Sequence, residues 1–284
     1  MAGPAGRLVV CPTPIGNLED VTLRVLSALR EVDVIACEDT RRTRTLLDRY
    51  GVRAPLVSYH EHNEERRAGE LVERMHGGEV VALVSDAGMP LISDPGYVLV
   101  RACVAAGIAV EVLPGPSAAV AALVASGLPA DRWRFVGFLP RRRSELRELL
   151  SARDGTLVAF ESPRRIPATL RVLAELDPER PAAVCRELTK IHEEVVRGTA
   201  GELAERYRDG PPRGEIVLVV GAPVGAGTDV SEGGPPPEVV DAVTRLVESG
   251  AKPRVAAAVV GELSGIAANE LYRAAQSQRD AHRS

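Results

Sequence analysis

Aromatic side chains are scarce in this sequence, and long apolar runs are missing. Phe, Trp and Tyr together make up 3% of 284 residues, too little for a broad base-stacking platform. No hydrophobic stretch approaches the roughly 18 residues of a membrane span, and no apolar signal core opens the chain. These absences predict a protein of the reducing cytoplasm with no membrane partner. Cysteine is limited to Cys11, Cys37, Cys103 and Cys185, far apart and without C-x-x-C or H-x-x-x-H spacing. Cysteines so placed read as buried small hydrophobes, and no metal site is expected. His60 and His62 form H-x-H, but no third ligand lies nearby in sequence. Positive charge is not in excess either. A formal net charge of −4 gives no whole-molecule field toward nucleic acid, so any RNA contact must come from local patches. There is no G-x-G-x-x-G and no G-K-[ST], which argues against dinucleotide and P-loop sites.

What is present is 45% hydrophobic and 26% charged residues, enough for two soluble α/β domains and a small extra piece. The β-branched run 80–84 suits a strand buried on both faces. It stops at Ser85-Asp86, and a loop follows that holds Gly88, Pro90, Asp94, Pro95 and Gly96. Prolines fix φ and glycines permit positive φ, so this loop is expected to hold one shape. Asp94 as N-cap and Pro95 as first helical residue predict a helix from Tyr97. A strand ending in a shaped polar loop before a helix is where α/β sheets bind ligands.

Similar strands are expected at 8–11, 34–36, 56–59 and 110–113, alternating with helices, the first from about Asp20. This predicts an α/β domain over 1–116 with a largely parallel sheet. Strand two runs into Glu38 and Asp39 beside Arg41, Arg42 and Arg44. Two readings stay open: a capped, solvated helix start, or a polar cluster at a site. The loop of His60 and Asn63 reads as substrate-facing. Ser117 stands near the start of an alanine-rich helix, either as a plain N-cap or where free N–H groups favour an anionic group. Closely spaced strands at 135–139, 156–160, 182–186, 192–197 and 214–220 predict a second α/β domain over 117–222, partly antiparallel. The Gly- and Pro-rich stretch 223–237 reads as a linker. A C-terminal helical piece over 238–284 follows, with three short helical patterns at 238–248, 253–263 and 267–276. The last two, around Ser264-Gly265-Ile266, look like a helix-turn-helix or a hairpin that packs on a partner.

The segments TPIGNLEDVTLR, ACEDTRRT, SYHEHNEERR, LVSDAGMPLISDPG, LPGPSA, ESPRR, CRELTKIHEE and RGEIVLVVG together resemble the ribosomal RNA small subunit methyltransferase I family of the tetrapyrrole-methylase superfamily. The resemblance covers essentially residues 8–220. It implies two α/β domains with an S-adenosylmethionine cleft between them, a homodimer, and 2′-O-methylation of a cytidine ribose in the decoding region of 16S rRNA within the 30S subunit. Carried over by motif, it implies cofactor contacts from Pro12, Ser85, Asp86, Ala87, Gly88, Ile92, Ser117, Ala118, Phe160 and Leu188. Tetrapyrrole methylases carry G-D-P where this chain has Ser85-Asp86-Ala87, which disfavours a porphyrin or corrin substrate. With the resemblance in hand, Glu38, Asp39 and Lys190 are candidates for the catalytic base. Arg41, Arg42, His60, Asn63, Arg141, Arg142, Arg143, Arg164 and Arg165 are candidates for holding RNA. A tetrapyrrole methyltransferase and a non-catalytic RNA-binding module are the two alternatives.

Overall fold

The structure, a computed structural model, describes residues 6–152, 154–223 and 235–281. Most of the Gly/Pro stretch read as a linker, residues 224–234, lies outside them. The chain divides into a unit over residues 1–222 and a second over residues 223–284.

The first unit opens with β1 (Arg7–Cys11), α1 (Leu23–Glu31), β2 (Val34–Cys37), α2 (Thr40–Arg49), β3 (Leu56–Ser58), α3 (Glu64–His76), β4 (Val80–Val84), α4 (Tyr97–Ala105) and β5 (Ala109–Val112). The strands form one sheet in the order β3-β2-β4-β1-β5, every neighbouring pair parallel. Alternation on the strands sorts the core. Val9, Cys11, Ile35 and Val84 pack with Val25, Leu29 and Leu47 of α1 and α2. Leu8, Val10, Ala36 and Leu83 pack with Leu71, Met75 and Leu99 of α3 and α4. Burial on both faces explains why these strands read as continuous apolar runs. Val84 is in register with both Cys11 and Cys37. Residues 12, 38 and 85 therefore leave the sheet side by side, and this register builds the site.

Two local expectations change. The first helix starts at Leu23, not Asp20, because the Asn17 side chain accepts from Glu19 N and closes a 3₁₀ turn at Leu18–Asp20. Thr22 then caps α1 through Val25 N. Asp94 does not cap α4. The N-cap is Gly96 at φ 139°, with no side-chain capping bond.

The rest of this unit comprises α5 (Ala118–Ser126), β6 (Trp133–Phe138), α6 (Arg143–Ser151), β7 (Thr156–Glu161), α7 (Ile166–Leu176), β8 (Pro181–Arg186), β9 (Glu194–Thr199), α8 (Ala200–Arg206) and β10 (Ile216–Val220). Its sheet runs β6-β7-β10-β8-β9, with β6 parallel to β7 and the remaining pairs antiparallel. On one face Val158, Ala183, Cys185 and Val217 meet Ala119, Ala122 and Leu123 of α5. On the other, Leu157, Val184 and Leu218 meet Leu150, Leu170 and Leu203.

The second unit holds α9 (Pro237–Glu248), α10 (Pro253–Ser264) and α11 (Ala268–Ala281). Its own small core joins Val240, Val243, Ala256, Ala257, Val260, Leu271 and Ala275. Gly265, at φ 75°, ends α10 in the left-handed region, where glycine meets no Cβ penalty.

Candidate active site

The loops after β1 and β4 are hydrogen-bonded to each other. Thr13 N donates to Gly88 O at 2.8 Å and Gly88 N donates to Thr13 O at 2.9 Å. The Thr13 hydroxyl donates to Ser85 O at 3.0 Å, and the Ser85 hydroxyl donates to Gly88 O at 3.2 Å. Pro12 lies against Gly115, where a Cβ would sit 2.3 Å from the proline Cγ. Pro12 and Ser85 are both buried. They brace the wall of the site and do not line it.

The loop after β8 closes onto this platform. Asn17 N donates to the Thr189 hydroxyl at 3.0 Å, and a Cβ on Gly16 would lie 2.5 Å from Lys190 Cγ. Among the described residues, four non-glycine residues have positive φ: Leu91 at 72°, Ser93 at 68°, Glu187 at 50° and Thr189 at 65°. All four lie in the loops after β4 and β8. Backbone strain of this kind persists where the surrounding structure over-determines it, and it gathers at binding and catalytic sites.

Between these loops and the second sheet lies a cavity of about 500 Å³, within the usual range for a small-molecule site. Asp86, Ala87, Gly88, Ile92, Ser117, Ala118, Phe160 and Leu188 line it, with Glu38 and Arg42. Ile15, Met89, Asp94 and Glu161, in the strand-end loops, also line it, and lining residues that the sequence reading missed include Phe138, Cys185, Glu215 and Val217. Phe160 stands edge-on to Phe138 at 5.5 Å between centroids, which gives the cavity a rigid aromatic wall.

The polar side is carried by carboxylates. Asp86 Oδ1 accepts from Asp39 N at 3.0 Å, and Oδ2 lies 3.6 Å from Arg42 Nη1. Burial, then the nearby Asp86 charge, raises the Glu38 carboxyl above its ordinary value, against Arg42 and His60, which lower it. Burial, then Glu38 and Asp86, pushes Asp94 up to about 7. Asp39 is turned elsewhere. Its Oδ1 caps α2 through Arg41 N at 2.8 Å and its Oδ2 pairs with Arg41 Nη2 at 3.0 Å. Hydrogen bonds from Arg41 hold its carboxyl below the usual range. Lys190 Nζ lies 2.8 Å from Glu187 and 3.0 Å from Glu215. Desolvation alone lowers its pKa, but these two hydrogen bonds outweigh it, so the ammonium is held charged.

Among the predicted RNA contacts, only Arg42 reaches the cavity wall. Arg41 is engaged by Asp39, Arg142 by Glu145 at 3.1 Å and Arg143 by Glu175 at 2.6 Å. Arg165 donates to Leu139 O and Pro140 O and lies 3.3 Å from the buried Glu161, so it braces the end of β6. Arg141 and Arg164 are exposed, and among the described residues they carry no ion pair. Asn63 Oδ1 accepts from His60 N and its amide nitrogen donates to Ser58 O, which shapes the loop after β3. Among the described residues, no group of three or more His, Cys, Asp or Glu could hold a metal ion.

Comparison with known proteins adds four findings. A family model described as Tetrapyrrole (Corrin/Porphyrin) Methylases matches residues 7–204. The chain is 46% identical over 217 residues to ribosomal RNA small subunit methyltransferase I of Thermotoga maritima, covering 76% of this chain and 98% of that one. It is 41% identical over 280 residues to the protein of the same name from Escherichia coli O157:H7, covering 96% of each. Among solved structures, the fold is similar to uroporphyrin-III C-methyltransferase from Thermus thermophilus complexed with S-adenosyl homocysteine. The TM-score there is 0.54 at 23% identity, covering 76% of this chain and 97% of that one.

Proposed function

The chain belongs to the ribosomal RNA small subunit methyltransferase I family within the tetrapyrrole methylases, and it is a methyltransferase that uses S-adenosylmethionine to methylate ribosomal RNA; we propose that its acceptor is the ribose 2′-oxygen of a cytidine in the decoding region of 16S rRNA in the 30S subunit. The observation that carries this reading is the meeting, in one cavity, of the implied cofactor loops with Glu38 and Arg42. The residues fit the cofactor. Ile92, Phe160 and Leu188 offer an apolar wall to a purine and ribose, while Glu38 and Asp86 provide negative potential for a sulfonium. When bound, the cofactor supplies a methyl on a good leaving group. What remains for the protein is orientation, exclusion of water and removal of one proton.

The parts divide as follows. Asp86, held by Asp39 N and Arg42, fixes the polar wall against the start of α2. Arg42 at that wall, with the unpaired Arg141 and Arg164, supplies guanidinium groups for phosphates. These local cations stand in for the missing global charge. The Thermotoga relative is matched over nearly its whole length by 217 residues, too few to include both units of this chain. That supports placing the chemistry in residues 1–222. We further propose a cytoplasmic homodimer. Val112 on the edge strand β5 and Val120 and Val124 on α5 are 57%, 47% and 74% exposed, apolar surface that a second copy would cover. Sedimentation of the full chain as a monomer would remove this part.

Tritiated methyl transfer with 30S subunits, free 16S rRNA and a tetrapyrrole in competition tests the acceptor. The expected product is labelled rRNA whose modified linkage resists alkali, because a 2′-O-methyl group blocks attack on the neighbouring phosphate. Label in the tetrapyrrole, or in an alkali-labile RNA position, would overturn the proposal. Two variants test the parts. Asp86→Ala is expected to weaken cofactor binding about tenfold by calorimetry, given that a hydrogen bond to a charged group contributes about 1.5–3 kcal/mol. Unchanged affinity with a lowered melting point would leave Asp86 a purely structural link. Arg42→Ala is expected to lose most methyl transfer at sub-saturating RNA. Asp39→Asn should stay near wild type, because an Asn oxygen still caps α2.

A further inference from the structure

The implied reaction removes a proton from a weakly acidic hydroxyl, and the proposed site holds several groups that could take it. Most are already engaged. Asp86 is bonded to Asp39 N and faces Arg42. Glu161, across the cavity, accepts from the Thr169 hydroxyl and faces Arg165. Glu215 and Lys190 are paired with each other. Asp39 points to Arg41. Among the described residues, Glu38 and Asp94 remain as cavity-lining carboxylates without an ion pair, Asp94 carrying a hydrogen bond from Ser85.

The backbone separates these two. Glu38 follows β2 in register with its neighbours and feels both Arg42 and His60. Asp94 sits in a loop bent by Leu91 and Ser93, both at positive φ. Directly after a loop and before a helix, an aspartate ordinarily turns onto the free N–H groups of the first turn. Here Gly96 occupies the cap, at a φ of 139° that side chains rarely adopt. A Cβ at Gly96 would lie 2.8 Å from Leu91 Cδ1 and 2.9 Å from Leu83 Cδ2. The packed glycine thus ends the loop without the aspartate, and the carboxylate is left to the cavity.

We propose that Asp94 is the catalytic base, accepting the proton of the ribose hydroxyl as the methyl group is transferred. This rests on the reading of the cavity as the methyl-transfer site. The ribose oxygen forms its bond to the methyl carbon while the carbon–sulfur bond breaks and its electron pair stays on sulfur. The hydroxyl proton passes to the Asp94 carboxylate and then to water. The groups acting on Asp94 are Glu38 from the end of β2, and Ser85 and Asp86 from the end of β4. Burial and the two neighbouring carboxylates push Asp94 up to about 7, against the Ser85 hydroxyl, which lowers it. A base with that value is half-ionised near neutrality, where proton transfer is most effective.

The sign of the linkage gives a readout that needs no cofactor. An acid whose folded pKa is raised favours the neutral form in the folded state, so its ionisation destabilises the fold as pH rises from the unfolded value through about 7. Asp94→Asn is therefore expected to melt higher than wild type, with a gap that widens between about pH 4 and pH 7 and then levels off. In single-turnover assays at saturating RNA and cofactor, the same variant is expected to lose about 100-fold or more in rate. Its cofactor affinity by calorimetry should stay within about threefold, because Asp94 is assigned to the acceptor side. The wild-type rate should rise with pH to a plateau above neutrality. Asp94→Asn should lack that step, and Glu38→Gln should keep it, displaced to lower pH, since one repelling charge is gone. Asp94→Ala provides a second variant with the same expected loss. An Asp94→Asn enzyme with wild-type rate and pH profile, or a step abolished by Glu38→Gln alone, overturns the assignment. Wild-type protein that transfers no methyl to any RNA overturns the functional reading itself, and the wild-type control separates the two failures.

Discussion

Arg180→Ala is expected to lower the unfolding free energy by about 3 kcal/mol or more, because three carbonyls lose a charged donor and each buried group left unpaired costs about 1–3 kcal/mol. Arg180 is 3% exposed. Its Nε donates to Gly221 O at 2.8 Å, Nη1 to Leu150 O at 2.5 Å and Nη2 to Ala152 O at 2.7 Å. Leu150 and Ala152 belong to the end of α6, where carbonyls lack helical partners and the dipole favours a cation. Gly221 follows β10. One side chain just before β8 thus ties the end of α6 to the end of β10. Alanine would leave these carbonyls buried and unpaired. For a unit of this size each kcal/mol moves the melting temperature by about 2–4 °C, so the fall should exceed about 6 °C. Arg180→Lys should fall between, since a single ammonium does not match the fork of a guanidinium. Guanidinium unfolding at fixed pH measures the loss. A change under about 1 kcal/mol would show that water replaces the side chain at all three carbonyls.

Nothing in the sequence marked Arg180, and the reason is general. Its partners come from α6 and β10, far along the chain, so no local spacing announces them. By contrast, the parallel sheet was legible because burial on both faces writes β-branched runs such as 80–84, and the site loops because Pro12, Ser85-Asp86 and Pro114 end those runs. Asp94 was misassigned for a physical reason. Capping preferences describe the average helix start, whereas this one is closed by a glycine packed on Leu83 and Leu91. Phe138, Cys185 and Val217 were missed because they reach the cavity from the second sheet, whose strand order β6-β7-β10-β8-β9 is not sequential. The strand expected at 192–197 lies at Glu194–Thr199. There Thr199 and Glu202 form a reciprocal capping box that starts α8 and fixes the end of the strand. Arg165 and Asp39 show the converse: residues of the right type beside the right loop, but already committed to backbone carbonyls and a helix cap.

A chain ending at Ala222 is expected to fold cooperatively and to bind S-adenosylmethionine within about threefold of the full chain, while its affinity for ribosomal RNA falls about tenfold. Both sheets and the whole cavity lie in residues 1–222, and the helical unit has a separate core around Val243 and Leu271. The rate at saturating RNA should change little, because no cavity-lining residue is removed. What is lost is the exposed face of α11. Asn269, Arg273 and Gln276 lie on it at spacings of four and three, and such side chains bond to phosphate and sugar. Tyr272 beside them is half-buried, with the Arg254 guanidinium 5.7 Å over its ring, an arrangement that keeps a cation at the same surface. A different role is written on α10. Val255, Val259 and Leu263 repeat every four residues and are 55%, 47% and 85% exposed, a stripe suited to a subunit seam. Sedimentation and RNA titration of the same truncated protein separate the two roles. Loss of RNA affinity with unchanged mass assigns the helical unit to RNA. A truncated protein that turns monomeric, yet binds RNA as tightly per subunit, would assign it to subunit pairing.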